Sequence, residues 1–155
     1  MALEAKVLTV SDSVDAGRRE DATGPAVAAA LEAHGFTVVD RRVASDGVAP
    51  VAAALGQLVA SFHGLVVTAG GTGFAPSDLT PEATRSVLER EAPGLAEAAR
   101  TTSPLGRLTR GVAGTVGECL IVNLPGSATG AVESLDGVVD VLPHALDLLG
   151  GGRPH

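Results

Sequence analysis

Thr68-Ala69-Gly70-Gly71-Thr72-Gly73-Phe74-Ala75-Pro76-Ser77-Asp78-Leu79-Thr80-Pro81-Glu82-Ala83 is the stretch on which the fold turns. An apolar run, Leu65-Val66-Val67, leads into it, and a helical pattern follows. Gly70, Gly71 and Gly73 leave the backbone with little steric cover, so a ligand can approach bare N–H groups. Asp78 adds one carboxylate beside that anion-friendly turn, a pairing that suits a metal-bound phosphate. Thr80 followed by Pro81 reads as an N-cap and a first helical residue. The order is therefore strand, glycine turn, acid, helix start.

Upstream, strands again alternate with helices. Lys6-Val7-Leu8-Thr9-Val10 reads as a buried strand that ends in Ser11-Asp12-Ser13, followed by a polar loop from Val14 to Asp21. A helix starts near Thr23-Gly24-Pro25 and stops at Gly35. Phe36 to Val43 form a second strand ending in Ala44-Ser45-Asp46-Gly47. Val51, Leu55, Leu58, Val59 and Phe62 then fall at helical spacing, with Gly64 closing that helix. This β-α-β-α-β series predicts a mostly parallel sheet with helices on its faces.

Downstream, a helix is expected from Thr80 to about Glu91, a second from Leu95 to Thr101, and a loop from Ser103 to Thr109. Gly111 to Gly114 and Glu118 to Asn123 read as two strands joined near Gly117. Leu124-Pro125-Gly126-Ser127 is a further strand-end turn, and the last helix is split or kinked by Pro143. With neither internal repeat nor interdomain linker, residues 1–155 read as one domain with a core of about 6–150 and frayed ends at 1–5 and 151–155.

Composition sets limits on partners and location. A chain of 155 residues that is 45% hydrophobic can build its own core, and with aromatics at 2% that core must be aliphatic. A net charge of −7 with no basic run argues against nucleic-acid or membrane-surface binding. No apolar stretch reaches the roughly 18 residues of a membrane span, and the N-terminus lacks signal-peptide features, so a cytoplasmic location is expected. Cys119, the single cysteine, sits in an apolar run and reads as a buried structural thiol.

In open α/β sheets ligands bind outside the carboxyl ends of the strands. Four such turns here carry glycine or polar residues, and three of them hold an acid: Asp12, Asp46 and Asp78. Each acid has a structural alternative. Asp12 suits an Asx turn and Asp46 a helix cap, whereas the cap before the next helix is already taken by Thr80 and leaves Asp78 less explained. The sequence has no G-K-[ST] phosphate loop, no G-x-G-x-x-G after the first strand, no G-x-S-x-G elbow and no histidine cluster at zinc spacing. Glycine turns with carboxylates remain, and they suit Mg²⁺-assisted chemistry on phosphates.

Thr68-Ala-Gly-Gly-Thr-Gly73 with Asp78-Leu-Thr-Pro-Glu-Ala83 resembles the signature of the molybdenum cofactor biosynthesis family, the MogA/MoaB-like molybdopterin adenylyltransferases, which the amino-terminal domain of gephyrin shares. Val10-Ser-Asp-Ser13, Ser45-Asp46, Arg110-Gly-Val-Ala-Gly114 and Asn123-Leu-Pro-Gly-Ser127 match in the same order, so the resemblance spans residues 7 to about 149. It implies a three-layer α/β sandwich, assembly as a homotrimer, and Mg²⁺-dependent transfer of AMP from ATP to the terminal phosphate of molybdopterin. Asp46 and Asp78 would then be the catalytic and metal-holding carboxylates. Ser11, Asp12, Gly70, Gly71, Thr72, Gly73, Thr80, Pro125, Gly126 and Ser127 would bind substrate. A catalytically inert molybdopterin-binding paralogue is the alternative. Ser77 and Thr129 stand where the family usually carries cations, so Arg107 or Arg110 is expected to supply that charge.

Overall fold

The computed structural model describes residues 2–153. Its centre is a six-stranded sheet. The strands are β1 (Glu4–Val10), β2 (Thr37–Ala44), β3 (Gly64–Ala69), β4 (Arg90–Glu91), β5 (Ala113–Val116) and β6 (Cys119–Leu124). The lateral order is β2-β1-β3-β6-β5-β4. β2, β1, β3 and β6 run parallel, while the β5–β6 and β4–β5 pairs are antiparallel. Every residue of β3 and of β6 is buried, as strands covered on both faces require.

The helices divide between the two faces. α2 (Thr23–Ala33), α5 (Pro93–Arg100), α6 (Ala128–Asp136) and α7 (Leu142–Leu149) cover one side. Val27, Leu31, Leu135 and Leu146 pack there against Val7, Val67 and Val122. α3 (Val48–Val59) and α4 (Thr80–Val87) cover the other, where Val51, Leu55 and Leu58 meet Leu8, Val66 and Ile121. Alternate residues of one strand therefore serve opposite cores, the period-two signature of a sandwiched sheet. The α/β three-layer expectation holds. No helix among the described residues is long and apolar enough to cross a membrane.

Several expected boundaries move. The polar loop after β1 opens with a short helix, α1 (Asp12–Asp15), because the Ser11 hydroxyl accepts from the Val14 amide and caps it. The helix expected to reach Glu91 stops at Val87, and Arg90–Glu91 pair with β5 instead, taking Thr115 and Gly114 as partners. Gly64 does not end α3; it opens β3. A 3₁₀ turn (Pro104–Leu108) occupies the expected loop. Pro143 splits the last helical run, sitting in the first turn of α7, where its missing N–H has no intrahelical acceptor to serve.

Glu4 and Ala5, expected to fray, belong to β1, and Ala5 is fully buried. At the other end the Gly152 amide donates to the Asp147 carbonyl at 2.8 Å. Fraying at Met1, Pro154 and His155 lies outside the described residues. Cys119 is buried, its thiol donates to the Phe62 carbonyl at 2.8 Å, and burial pushes its pKa up, as suits a structural thiol.

Candidate active site

The carboxyl ends of β1, β2, β3 and β6 share one rim. The chain leaves β1 toward β2 on one side and reaches β3 on the other, so the rim between β1 and β3 is a topological switch point, where open α/β sheets bind ligands. A pocket of about 380 Å³ opens there. Thr9, Val10 and Ala69 form its floor, and Gly70, Gly71 and Gly126 its bare backbone wall. Asp46, Asp78, Asp21 and Arg19 supply its charge.

The glycines are there because nothing else fits. Gly70 has φ +110°, and a side chain on it would strike the Val10 carbonyl oxygen. Its amide donates to the Leu124 carbonyl at 3.1 Å, so the turn is fastened between β1 and β6. Gly71 has φ +68°, and a Cβ there would strike the Thr80 hydroxyl and lie 3.3 Å from Asp46 Oδ1. A Cβ on Gly73 would lie 2.9 Å from Asp78 Oδ2. The turn thus passes directly beneath both acids.

The two acids are held in the same way. Asp46 Oδ2 accepts from the Asp12 amide at 3.2 Å, and Asp12 Oδ1 accepts from the Asp46 amide at 2.8 Å. Asp78 Oδ2 accepts from the Ala75 amide at 3.0 Å. The second oxygens, Asp46 Oδ1 and Asp78 Oδ1, receive no protein donor among the described residues. Burial raises the Asp46 pKa; the Asp12 amide lowers it, and the negative charges of Asp12 and Asp78 raise it again. Asp46 and Asp78 therefore feel each other across the pocket. Asp46 is not the cap of α3 that its position allowed, because Gly47 takes that place with no side-chain bond.

Of the residues singled out in the sequence, Ser11, Asp46, Asp78, Gly70, Gly71, Gly126 and Ser127 line the pocket. Asp12 lies at its edge as the brace of Asp46. Ser127 is also the cap of α6, its hydroxyl accepting from the Gly130 amide at 3.1 Å. Thr72 and Thr80 do not line it: both are buried. Thr80 is not an N-cap either. It is the first residue of α4, and its hydroxyl, packed behind Gly71, has no hydrogen-bond partner. Gly73 and Pro125 do not line the pocket either.

The expected cation assignments are corrected. Arg110 is committed to the scaffold: it donates to the Gly73 carbonyl at 2.8 Å and the Asp78 carbonyl at 2.6 Å, and pairs with Glu82 at 2.8 Å. It ties the glycine turn to α4 rather than facing the pocket. Arg107 is exposed and donates to the Pro104 carbonyl at 3.1 Å. The cation that does line the pocket is Arg19, from the loop ahead of α2.

Sequence reading also missed Asp21 and Thr23. Asp21 accepts from the Thr9 hydroxyl and from the Gly24 amide, both at 2.8 Å, and Thr23 donates to the Gly126 carbonyl at 2.7 Å. An acid three residues before the Gly24 amide is a capping signal that could have found Asp21. Thr23, which joins partners 103 positions apart, left no local trace.

Residues 6–144 match the family described as a probable molybdopterin binding domain. The chain belongs to this family. It is 34% identical to the molybdopterin adenylyltransferase of Helicobacter pylori (strain J99), over 94% of this chain and 86% of that protein. It is 45% identical to the molybdopterin biosynthesis enzyme MoaB from Thermus thermophilus, with a TM-score of 0.90 and 97% and 98% of the two chains covered. The molybdopterin biosynthesis Mog protein from Mycobacterium ulcerans is 42% identical, with a TM-score of 0.88 and coverage of 96% and 99%. Longer members match too: the chain spans 22% of the length of gephyrin from Dictyostelium discoideum and 15% of cinnamon from Drosophila melanogaster. Molybdenum cofactor biosynthesis is thus the process in which this molybdopterin-binding fold takes part.

Proposed function

We propose that the chain is a molybdopterin adenylyltransferase, moving AMP from ATP to the terminal phosphate of molybdopterin and releasing pyrophosphate. One observation carries the reading: Asp46 and Asp78 line one pocket, with the Gly70–Gly71 turn between them. The adenylyltransferases among its relatives support it.

In this reaction a terminal phosphate oxygen of molybdopterin attacks the α-phosphorus of ATP. The new P–O bond forms as the bond from that phosphorus to the β-phosphate bridge breaks, and pyrophosphate leaves. The attacking oxygen is already anionic, so no general base is needed, which agrees with a wall of glycine, hydroxyl and carboxylate. The chain's task is to align two anions. The bare backbone of Gly70, Gly71 and Gly126 allows close approach, and Ser127 offers a hydroxyl at the start of α6.

The residues present fit Mg²⁺. The donors are all oxygen, and Asp46 and Asp78 each keep one carboxylate oxygen without a protein donor. Mg²⁺ commonly takes one or two carboxylates together with substrate phosphates. Asp46 and Asp78, which line one pocket, are the donors we assign to it. When bound, the ion offsets charge on the phosphates. The same reading carries a homotrimer and a cytoplasmic location, which light scattering and cell fractionation test.

Incubation with molybdopterin, ATP and Mg²⁺ should yield adenylylated product and pyrophosphate. Asp46→Ala and Asp78→Ala should abolish both while leaving the circular dichroism spectrum unchanged; wild-type rates in both variants would refute the roles. The second reading is a molybdopterin-binding paralogue without turnover. Its support is the exposed Ser77 and Thr129, together with the diversion of Arg110 and Arg107 away from the pocket. Tight molybdopterin binding without pyrophosphate release would favour it.

A further inference from the structure

We propose that Arg19 is the residue that grips a substrate phosphate in the 380 Å³ pocket, a role that rests on the adenylyltransferase reading. The pocket has a charge problem. Asp46 and Asp78 present carboxylates to ligands that are themselves polyanions. Arg19 is the only cationic side chain among the described lining residues.

Its neighbours make it an arm on a fixed mount. On one side the Arg19 amide donates to the Ser13 carbonyl at 3.2 Å, after a turn through Gly17 at φ +74°. On the other, two residues along, Asp21 is clamped by the Thr9 hydroxyl and the Gly24 amide. Gly24 is needed for that clamp, since a Cβ there would strike the Asp21 carboxylate. Both Asp21 carboxylate oxygens thus already accept a hydrogen bond, one from the Thr9 hydroxyl and one from the Gly24 amide. Arg19 itself makes no side-chain hydrogen bond or ion pair among the described residues. Its forked donors match phosphate oxygens. An exposed arginine with a pinned backbone and an uncommitted head, lining a pocket of carboxylates, has anion capture as its clearest use.

The phosphate can belong to ATP or to molybdopterin. Equilibrium binding of each ligand, at two ionic strengths with Mg²⁺ present, tests the assignment on wild type, Arg19→Gln, Arg19→Lys and Arg18→Gln. We expect Arg19→Gln to weaken at least one ligand by about 10- to 100-fold, the worth of a charge-assisted hydrogen bond, with a flatter salt dependence. Arg19→Lys should recover part of the loss. Arg18 lies outside the pocket, so Arg18→Gln should bind both ligands as wild type does. Melting temperatures should stay equal, because the Arg19 side chain supports no other group. Loss confined to ATP assigns Arg19 to the nucleotide; loss confined to molybdopterin assigns it to the pterin phosphate. Wild-type affinity for both ligands in Arg19→Gln overturns the proposal and leaves the adenylyltransferase reading standing. A wild-type protein that binds neither ligand overturns both.

Discussion

Asp12 and Asp46 hold each other's main chain: each carboxylate accepts the other's backbone amide, at 2.8 and 3.2 Å. The pair fastens the end of β1 to the end of β2 and aims Asp46 at the pocket. It also brings two negative charges together, which a fold chosen for stability alone would avoid.

Asp46→Asn should therefore stabilise the protein at pH 7 while removing activity. The folded pKa of Asp46 is raised, so its contribution to stability is fully present below its unfolded value and is lost as pH rises through the folded one. At neutral pH the native state carries an ionised acid that it disfavours, and an amide relieves this. Thermal unfolding should show a higher Tm for the variant at pH 7, with the difference closing as pH falls through the carboxylate range. The proposed adenylyl transfer should drop on the order of 10²-fold or more, the scale of one electrostatic partner in a transition state. A lower Tm at pH 7 would count against the charge argument.

Arg110→Ala should loosen the glycine turn. The substitution strands the Gly73 and Asp78 carbonyls and releases Glu82. The ion pair is about one-third exposed on both sides, so it adds little by itself. The two carbonyl bonds set an expected loss of about 1–3 kcal/mol, which is roughly 2–4 °C in Tm per kcal/mol for a chain of this size. Arg110→Lys should not rescue it, because one ammonium cannot span both carbonyls and the carboxylate. Glu82 is held below its ordinary value, chiefly by its hydrogen bonds from Arg110. Its share of stability is present above the unfolded pKa and lost as pH falls through the folded one, so the deficit of Arg110→Ala should narrow in acid. Denaturant titrations at neutral pH and at a pH below the ordinary glutamate range measure it.

Gly70→Ala should be worse than Gly71→Ala, although both residues have positive φ. The added methyl at Gly70 meets the Val10 carbonyl, which is strand-end backbone and cannot turn aside as a side chain can. At Gly71 it meets the Thr80 hydroxyl, a side chain that can turn. We expect Gly70→Ala to cost about 1–3 kcal/mol and Gly71→Ala less, with Thr80→Ala restoring part of the loss only in the Gly71 background. Equal Tm losses for the two single variants would contradict this.

Asn123→Ala tests the support behind the pocket. Asn123 is buried; its amide donates to the Thr68 and Thr84 hydroxyls at 2.9 and 3.0 Å, and its carbonyl accepts from the Val112 amide at 3.1 Å. Removing it orphans groups on β3, on α4 and ahead of β5, at on the order of 1–3 kcal/mol each. The melting temperature should fall further than for any single variant above, and Asn123→Asp should not restore it at neutral pH, since it would bury a carboxylate among partners that carry no positive charge.

The parts of this fold readable in the sequence were those written in short-range pattern. β1 and β3 announced themselves as apolar runs and β2 as a β-branched stretch between Gly35 and Gly47, and Gly35 and Pro143 punctuated their helices. The convergence of Asp12, Asp46 and Asp78 followed from topology, because parallel strands put their ends on one rim. What escaped depended on partners distant in sequence. β4 has two residues, too few to show alternation, and exists because β5 lies beside it. Arg110 looked like a free cation, and only the carbonyls of Gly73 and Asp78 reveal that it is taken. Arg19 sits in a polar loop with no periodicity, and its importance lies in what it faces.

Gly70, wedged against Val10 and bonded to Leu124, also has a consequence in time. The floor of the site is made of sheet, so it takes its shape while the chain folds and keeps it between encounters. A ligand arriving there finds its cradle already formed and has only to shed water and turn. Rearrangement on binding, where there is any, then falls on the groups above this sheet floor, such as Arg19 and the loop that carries it.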